Sequence, residues 1–116
     1  MIKEIVDHMK VEEEHFEVRL IINGLKILGK KHVNEMIKNI LECQKYENLI
    51  SGFDLVNEED FSPQILEYID SILKGKSLDK KYQLPCFFHA GETHDRGNHN
   101  LYDAILLNSK RIGHGL

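Results

Sequence analysis

The apolar residues of this chain switch repeatedly between strand-like and helix-like spacing. Strands are predicted from four short, nearly continuous apolar runs, which begin near residues 18, 49, 85 and 111. Amphipathic helices are predicted where apolar residues recur every three or four positions, around 2–9, 33–41, 62–73 and 100–106. This alternation is typical of parallel β-α units with strands covered on both faces. The pattern therefore predicts an α/β fold.

Turn and capping residues set the expected ends of these elements. The first apolar run is followed by Asn23-Gly24, a turn signal that predicts the end of the first strand. Ser62 as N-cap and Pro63 in the first helical position predict the start of the third helix. Asn100 is expected to cap the fourth helix.

The spacing of the strands predicts part of a barrel. Strand starts recur about every 30 residues, and a (β/α)8 barrel takes about 250 residues, or about 31 per unit. We interpret residues 1–116 as a single partial domain, with about four consecutive β-α units of a TIM barrel. An open, doubly wound sheet fits the same pattern, but the glycine-rich phosphate loop expected after its first strand is missing.

Composition narrows the classes of partner. With 41% hydrophobic and 29% charged residues, the 116-residue chain is typical of a globular protein. Its formal net charge of -4 leaves no basic stripe, so no nucleic-acid partner is expected. The first residues do not form a signal peptide, and no segment has the length of a membrane span. Cys43 and Cys86 match no metal or redox spacing and are expected to be small buried hydrophobic residues.

The third apolar run ends in candidate chemistry. Alternation along a strand at 85–89 puts Phe87 and His89 on one face, with His89 at the carboxyl end, where barrel enzymes build their sites. Gly91 leaves room for a ligand close to the backbone, and Glu92 follows in the loop. This arrangement predicts a metal ligand beside a general acid. A hydrogen-bonded structural histidine and a solvated loop carboxylate are the alternatives.

Two further residues fall near the same edge. His114 ends the next predicted strand between two glycines, so neighbouring strands about 4.8 Å apart would each present a histidine on one rim. Asp54 lies inside the apolar run at 52–56, where a carboxylate is costly to bury unless it is paired. We count Asp54 as a structural residue near the site, with backbone donors or a lysine as alternative partners.

Three motifs carry a resemblance to a known family. The motifs FFHAGE at 87–92, RIGHGL at 111–116 and GFDLV at 52–56 resemble the central barrel of the adenosine deaminase superfamily, in particular its extracellular branch, the adenosine deaminase-related growth factors. The resemblance implies a (β/α)8 enzyme in which one Zn2+ activates a water that attacks C6 of adenosine, giving inosine and ammonia. By position it implies that His89 is a zinc ligand. Glu92 would protonate the purine ring, and His114 would be the base or electrostatic partner of the nucleophile.

The chain also departs from the family pattern. The family's zinc site includes an HxH pair on the first strand and an aspartate on the last, and the chain contains no HxH. The remaining zinc ligands are therefore expected outside this chain. Asn57 follows GFDLV where family members typically carry a glycine that approaches the purine. Asn57 and Gly91 are the predicted substrate-binding positions.

The resemblance therefore implies an adenosine deaminase-type zinc hydrolase that acts on a purine nucleoside. The 116 residues alone are expected to be inactive, because a catalytic zinc needs at least three protein ligands. One alternative is a truncated, non-catalytic relative that acts by binding, and another keeps the barrel but takes adenine or AMP. The resemblance also implies an extracellular location and allows a homodimer of the full-length protein.

Overall fold

The computed structural model describes residues 1–12, 16–44, 49–78 and 84–116. Helices and strands alternate along these residues, as the sequence predicts. In chain order they are α1 (Ile2–Glu12), β1 (Leu20–Leu25), α2 (Gly29–Gln44), β2 (Ile50–Val56), α3 (Ile69–Leu78), β3 (His89–Ala90), α4 (Asn100–Leu106) and β4 (Gly113–His114). Short 3-10 helices, Lys26–Leu28 and Ile65–Tyr68, lead into α2 and α3. The α/β class is confirmed.

The strands pair in parallel. β1 pairs with β2, and β3 pairs with β4, with His89 opposite Gly113. A parallel bridge between Phe53 and Cys86 connects the two pairs, and the Phe87 N–H donates to the Phe53 carbonyl at 2.9 Å. The strands therefore follow one another in chain order, with their carboxyl ends at one edge. Within the described ranges they form no closed barrel.

The hydrophobic core lies on one face of these strands. Alternate residues of β2 and of the segment leading into β3 point into it: Phe53, Leu55, Cys86 and Phe88 are fully buried. They share a core with side chains of the helices, among them Val33, Ile37, Ile40, Tyr68 and Ile72. On the opposite face Phe87 is half-buried and His89 is exposed, as the alternation predicts. The core therefore packs against one face of the strands, and the side chains of Phe87 and His89 stay accessible on the other face.

The expected turn at Asn23-Gly24 is wrong. β1 continues through both residues to Leu25 because they remain paired with β2. The cross-strand ladder outweighs the local turn preference. Glycine is needed at position 24 for packing instead, since a Cβ there would lie 2.8 Å from the Phe53 ring.

The third helical segment begins later than its capping signals predict. Ser62 and Pro63 precede the 3-10 helix that starts at Ile65 and runs into α3. The Ile65 N–H donates instead to Asn100 Oδ1 at 2.7 Å. Asn100 therefore caps the 3-10 helix at Ile65–Tyr68 rather than α4. The N-cap of α4 is His99. Both capping predictions are wrong because a tertiary contact supplies the acceptor.

The apolar positions of α4 form only part of its buried face. Tyr102, Ile105 and Leu106 are exposed, and the helix buries Asn100 and Ala104 instead. Leu101 is partly buried against the core, so the periodicity locates this helix correctly and predicts its buried face in part.

The two cysteines differ in environment. Cys86 is buried as predicted, and burial raises the pKa of its thiol to about 11. Cys43 is exposed on α2, so the expectation of a buried residue is wrong there. Across the described ranges, no helix has the length and apolar character needed to cross a membrane.

Candidate active site

The carboxyl ends of the strands bring three predicted site residues together, and we call the edge formed by His89, Glu92 and His114 the rim. His89 and His114 lie on neighbouring strands with their ring centroids 5.7 Å apart. Glu92, in the turn after β3, has its Oε2 at 3.8 Å from His114 Nε2. These three side chains are between 41% and 46% exposed, so a ligand can reach all of them.

A buried aspartate holds His89. Asp54 is 3% exposed. Its Oδ2 lies 2.6 Å from His89 Nδ1, and its Oδ1 accepts from the His89 backbone N–H at 3.2 Å. Because an ionised carboxylate only accepts hydrogen bonds, the contact assigns a hydrogen to Nδ1, and Nε2 is the ring nitrogen that faces away from Asp54. Nε2 is therefore the atom of His89 that can bind a metal ion.

Burial and pairing oppose each other at Asp54. Burial raises the pKa of its carboxyl above the ordinary value, while the His89 imidazole lowers it through charge and hydrogen bonding. The buried carboxylate thus depends on its histidine for compensation. Asp54 and His89 act as one unit.

The rim glycines allow close packing around His89. A Cβ at Gly113 would lie 2.6 Å from His89 Cδ2 and 3.0 Å from Nε2, so only glycine leaves this side of the ring open. Gly91 has a φ of +75°, and a Cβ there would lie 2.9 Å from the Leu116 nitrogen. His114 has a φ of +70°, a region that non-glycine residues rarely occupy. The Gly-His-Gly motif thus serves both the ring of His89 and the bend at His114.

A second buried carboxylate, which the sequence pattern does not single out, holds the turn after β3. Glu59 is 4% exposed. Its Oε2 accepts from the N–H groups of Glu92 at 2.6 Å and Thr93 at 2.9 Å, and its Oε1 accepts from the Gly91 N–H at 3.3 Å. Three consecutive backbone donors therefore converge on one side chain. Its place three residues beyond β2, at the carboxyl edge, is the sequence signal that could have identified it.

Asn100 fixes Glu59 on its other side. The Asn100 Nδ2 donates to Glu59 Oε1 at 2.9 Å, and Asn100 is fully buried. Burial alone would raise the pKa of Glu59, but the hydrogen bonds from Asn100 and from the three backbone N–H groups outweigh burial and lower it. Glu59 is therefore ionised at neutral pH.

A buried lysine lies near the same carboxylates. Lys26 follows β1 directly and is 2% exposed. Burial lowers the pKa of its ammonium, while the charges of Glu59, Glu92 and Asp54 raise it. Lys26 thus supplies positive charge to this acidic edge. A lysine immediately after a strand is the only sequence signal for this position.

Asn57, the predicted substrate-binding position after β2, has a φ of +130°. This region of backbone conformation favours glycine. Its Oδ1 accepts from the Ile27 N–H at 3.2 Å, which ties its side chain to the residues after β1. Asn57 therefore has a backbone conformation that glycine adopts more readily.

A groove of about 330 Å³ borders the turn after β3. Gly91, His94, Arg96 and Tyr102 are among its lining residues, and the rim histidines are not. It lies beside the rim, and we assign it no part in the chemistry.

One residue of the rim fits a metal ligand. Asp54 fixes the His89 ring through Nδ1, and Gly113 leaves room at Nε2, which is the arrangement of a supported zinc histidine. In the part of the chain that the structure describes, no group of three or more His, Cys, Asp or Glu side chains could hold a metal ion. The described residues offer one candidate ligand with its supporting carboxylate.

The site consists of an aspartate-oriented histidine, a second histidine and a glutamate, all at the carboxyl edge of parallel strands. This arrangement is typical of parallel β-α proteins, a class that binds ligands where the strands end.

Comparison with known proteins identifies the family. The chain is 42% identical over 103 residues to adenosine deaminase 2 of Dictyostelium discoideum, covering 80% of the chain and 19% of that relative. It is 37% identical over 103 residues to adenosine deaminase 2 of Sus scrofa, covering 79% and 20%. It is 32% identical over 120 residues to adenosine deaminase 2-A of Danio rerio, covering 97% and 23%. No family model matches the chain.

The chain belongs to the adenosine deaminase superfamily, in the branch of the adenosine deaminase-related growth factors. The resemblance stated from the three motifs is confirmed. The chain spans about a fifth of the length of the curated relatives it matches.

Proposed function

We propose that the protein containing this chain is a hydrolytic adenosine deaminase, and that the chain supplies part of the active-site rim of its TIM barrel. The observation that carries the proposal is the Asp54–His89 pair beside Glu92 and His114. The names of the relatives, adenosine deaminase and adenosine deaminase 2, support adenosine as the substrate.

His89 binds zinc through Nε2 in this proposal. Asp54 accepts the hydrogen bond at Nδ1, which fixes the rotation of the ring and directs the lone pair outward. A zinc ion held there would lower the pKa of a water molecule and so supply a nucleophile near neutral pH. The remaining ligands come from parts of the protein outside the described residues.

Glu92 and His114 transfer protons during the attack of water on C6. Attack at C6 pushes electron density into the purine ring, and a proton from the Glu92 carboxyl to ring nitrogen N1 neutralises it. His114 orients the attacking water and accepts the proton that this water loses. Their separation of 3.8 Å places both groups within reach of one small substrate. The proton of the new C6 hydroxyl group passes to the amino group, which leaves as ammonia, and C6 becomes the carbonyl carbon of inosine. The proton taken up by His114 returns Glu92 to its protonated form.

Gly91 and Asn57 contact the purine in this proposal. Gly91 has no side chain to obstruct a ring close to the turn. Asn57 follows β2, and its side chain, held by the Ile27 N–H, limits how closely the purine approaches the backbone there.

A chimeric enzyme tests the activity. The segment of the Dictyostelium discoideum relative that matches this chain is replaced by the chain, and zinc content and conversion of adenosine to inosine are measured. We expect turnover, and we expect His89→Ala to abolish both turnover and full zinc occupancy. His99→Ala, an exposed histidine outside the rim, is the matched control. Preferred turnover of adenine or AMP would change the substrate assignment.

A non-catalytic, ligand-binding relative is the second candidate, and Asn57 is the observation that favours it. Asn57 carries a side chain where the family's glycine approaches the purine. A folded, zinc-loaded chimera that binds adenosine without converting it would support this candidate.

For the full-length protein, an extracellular location and a homodimer remain part of the main proposal, and secretion and size measurements test them.

A further inference from the structure

We propose that Glu59 is a positioning residue, whose buried carboxylate fixes the turn at 91–93 and thereby directs Glu92 towards His114. The structural part of this inference rests on geometry alone, and its catalytic consequence rests on the proposed function. Glu59 reaches the turn from the loop after β2, so it links two neighbouring strand ends.

The donor set around Glu59 requires a carboxylate. Four N–H donors, from the backbone of residues 91–93 and from Asn100, share its two oxygens. A glutamine has one acceptor oxygen, and its amide group would turn N–H bonds towards donors. An aspartate keeps two acceptors but is one methylene shorter, so it cannot reach both Asn100 and the turn. Glutamate is the residue whose length and acceptors match the donors.

Glu59 is itself held by a buried side chain. Asn100 is fully buried, and it donates to Glu59 while accepting from the Ile65 N–H at 2.7 Å. A continuous set of hydrogen bonds therefore runs from the 3-10 helix before α3 to the turn. The Thr93 hydroxyl adds a contact to Asp60 on the outer side. The turn at 91–93 is therefore held by two neighbouring acidic residues of the loop after β2, Glu59 and Asp60.

The direction of Glu92 depends on its backbone. Its side chain is 41% exposed and lies 3.8 Å from His114, and among the described residues no short hydrogen bond fixes it. Its backbone N–H, in contrast, makes the 2.6 Å bond to Glu59. A shift of about 1 Å in a reacting group can cost about 100-fold in rate. Fixing the turn therefore fixes the position of the general acid.

Amide hydrogen exchange on the full chain tests the structural part. Glu59→Gln should raise the exchange rates of the amides of residues 91–93 about 10-fold, while amides of α2 keep their protection. Glu58→Gln, at the exposed neighbouring position, should change neither. Uniform loss of protection throughout the chain, or no change at 91–93, would overturn the inference. If the glutamine variant does not fold, Glu59→Asp should give a smaller rise confined to 91–93, and a uniform rise would again be contrary.

Kinetics in the chimera test the catalytic part. Glu59→Gln should lower kcat about 10- to 100-fold with zinc content unchanged and KM nearly so. Glu59→Asp should recover part of the loss, and Glu58→Gln should behave as the unsubstituted chimera. An unchanged kcat in Glu59→Gln would remove the catalytic role. An inactive unsubstituted chimera would contradict the proposed function instead, and the exchange data would still decide whether Glu59 fixes the turn.

Discussion

Two buried carboxylates stand at the same edge of the sheet, and their environments have opposite effects. Asp54 and Glu59 are 3% and 4% exposed, and both accept hydrogen bonds from the segment that contains the family's HAGE motif. The pKa of Asp54 is raised, chiefly by burial, with His89 opposing the rise. The pKa of Glu59 is lowered, because its hydrogen bonds outweigh the effect of burial.

The difference lies in the partners. Asp54 depends on one backbone N–H and on one imidazole, which belongs to a side chain that is 46% exposed. Glu59 is surrounded by three backbone dipoles and a buried amide, which keep their hydrogens at every pH of interest. The first environment is suited to orienting a side chain that reacts. The second is suited to holding a backbone that must not move.

The largest effect is expected from filling the space beside the Asp54–His89 unit. In Gly113→Ala the new Cβ would lie 2.6 Å from His89 Cδ2, and displacing the ring should cost about 2 kcal/mol in the free energy of unfolding. Urea denaturation of the chain measures this cost, and NMR signals of the His89 ring should shift. Gly97→Ala, where the nearest atom is the end of the Asp95 side chain at 3.3 Å, is the control. Equal stability of the two variants would contradict the close packing.

Removing the charge of Asp54 should come next. In Asp54→Asn the side-chain oxygen can still accept from the His89 N–H, but the amide group faces Nδ1. His89 should therefore move its hydrogen to Nε2, at a cost of about 1.5 kcal/mol. Imidazole nitrogen NMR on the chain reports the tautomer, and zinc affinity in the chimera should fall about 10- to 100-fold. The exposed Asp70→Asn is the control. An unchanged tautomer would show that Asp54 does not set it.

The pH dependence of stability separates the two carboxylates further. Because the folded-state pKa of Glu59 is lowered, its stabilising effect is complete above the ordinary value of about 4.5 and disappears as the pH falls through the lowered pKa. The stability difference between the wild-type chain and Glu59→Gln should therefore be larger at about pH 7 than at about pH 3. Unfolding curves at both pH values provide the measurement. A difference that stays constant with pH would mean that Glu59 is not the ionised acceptor.

The sequence predicts the fold where the signal is periodic and fails where a tertiary contact decides. Alternation placed Phe87 and His89 on one face correctly, because a strand imposes that pattern locally. The turn at Asn23-Gly24 and the Asn100 cap were wrong, because pairing with β2 and a bond to a distant helix replaced the local preference.

The candidate site divides in the same way. His89, Glu92 and His114 follow from motifs at strand ends, and they do come together at one rim. Glu59 and Lys26 carry no local mark of burial, since glutamate and lysine usually lie in solvent. Their role depends on donors and charges that arrive from other strands.

The smallest effect is expected at Asn57, which lies between Asp54 and Glu59 in the chain. Asn57→Gly relieves a backbone φ of +130° but loses the bond to the Ile27 N–H and adds freedom to the unfolded chain. These contributions nearly cancel, so stability should change by less than about 1 kcal/mol, while the KM of the chimera for adenosine should fall as the purine gains room. Asn108→Gly is the control, at an exposed position with a φ of +57° and with no side-chain bond of this kind to the part of the chain that the structure describes. A loss well above about 1 kcal/mol, with KM unchanged, would make Asn57 a structural tie between β1 and β2 rather than a position that limits the substrate.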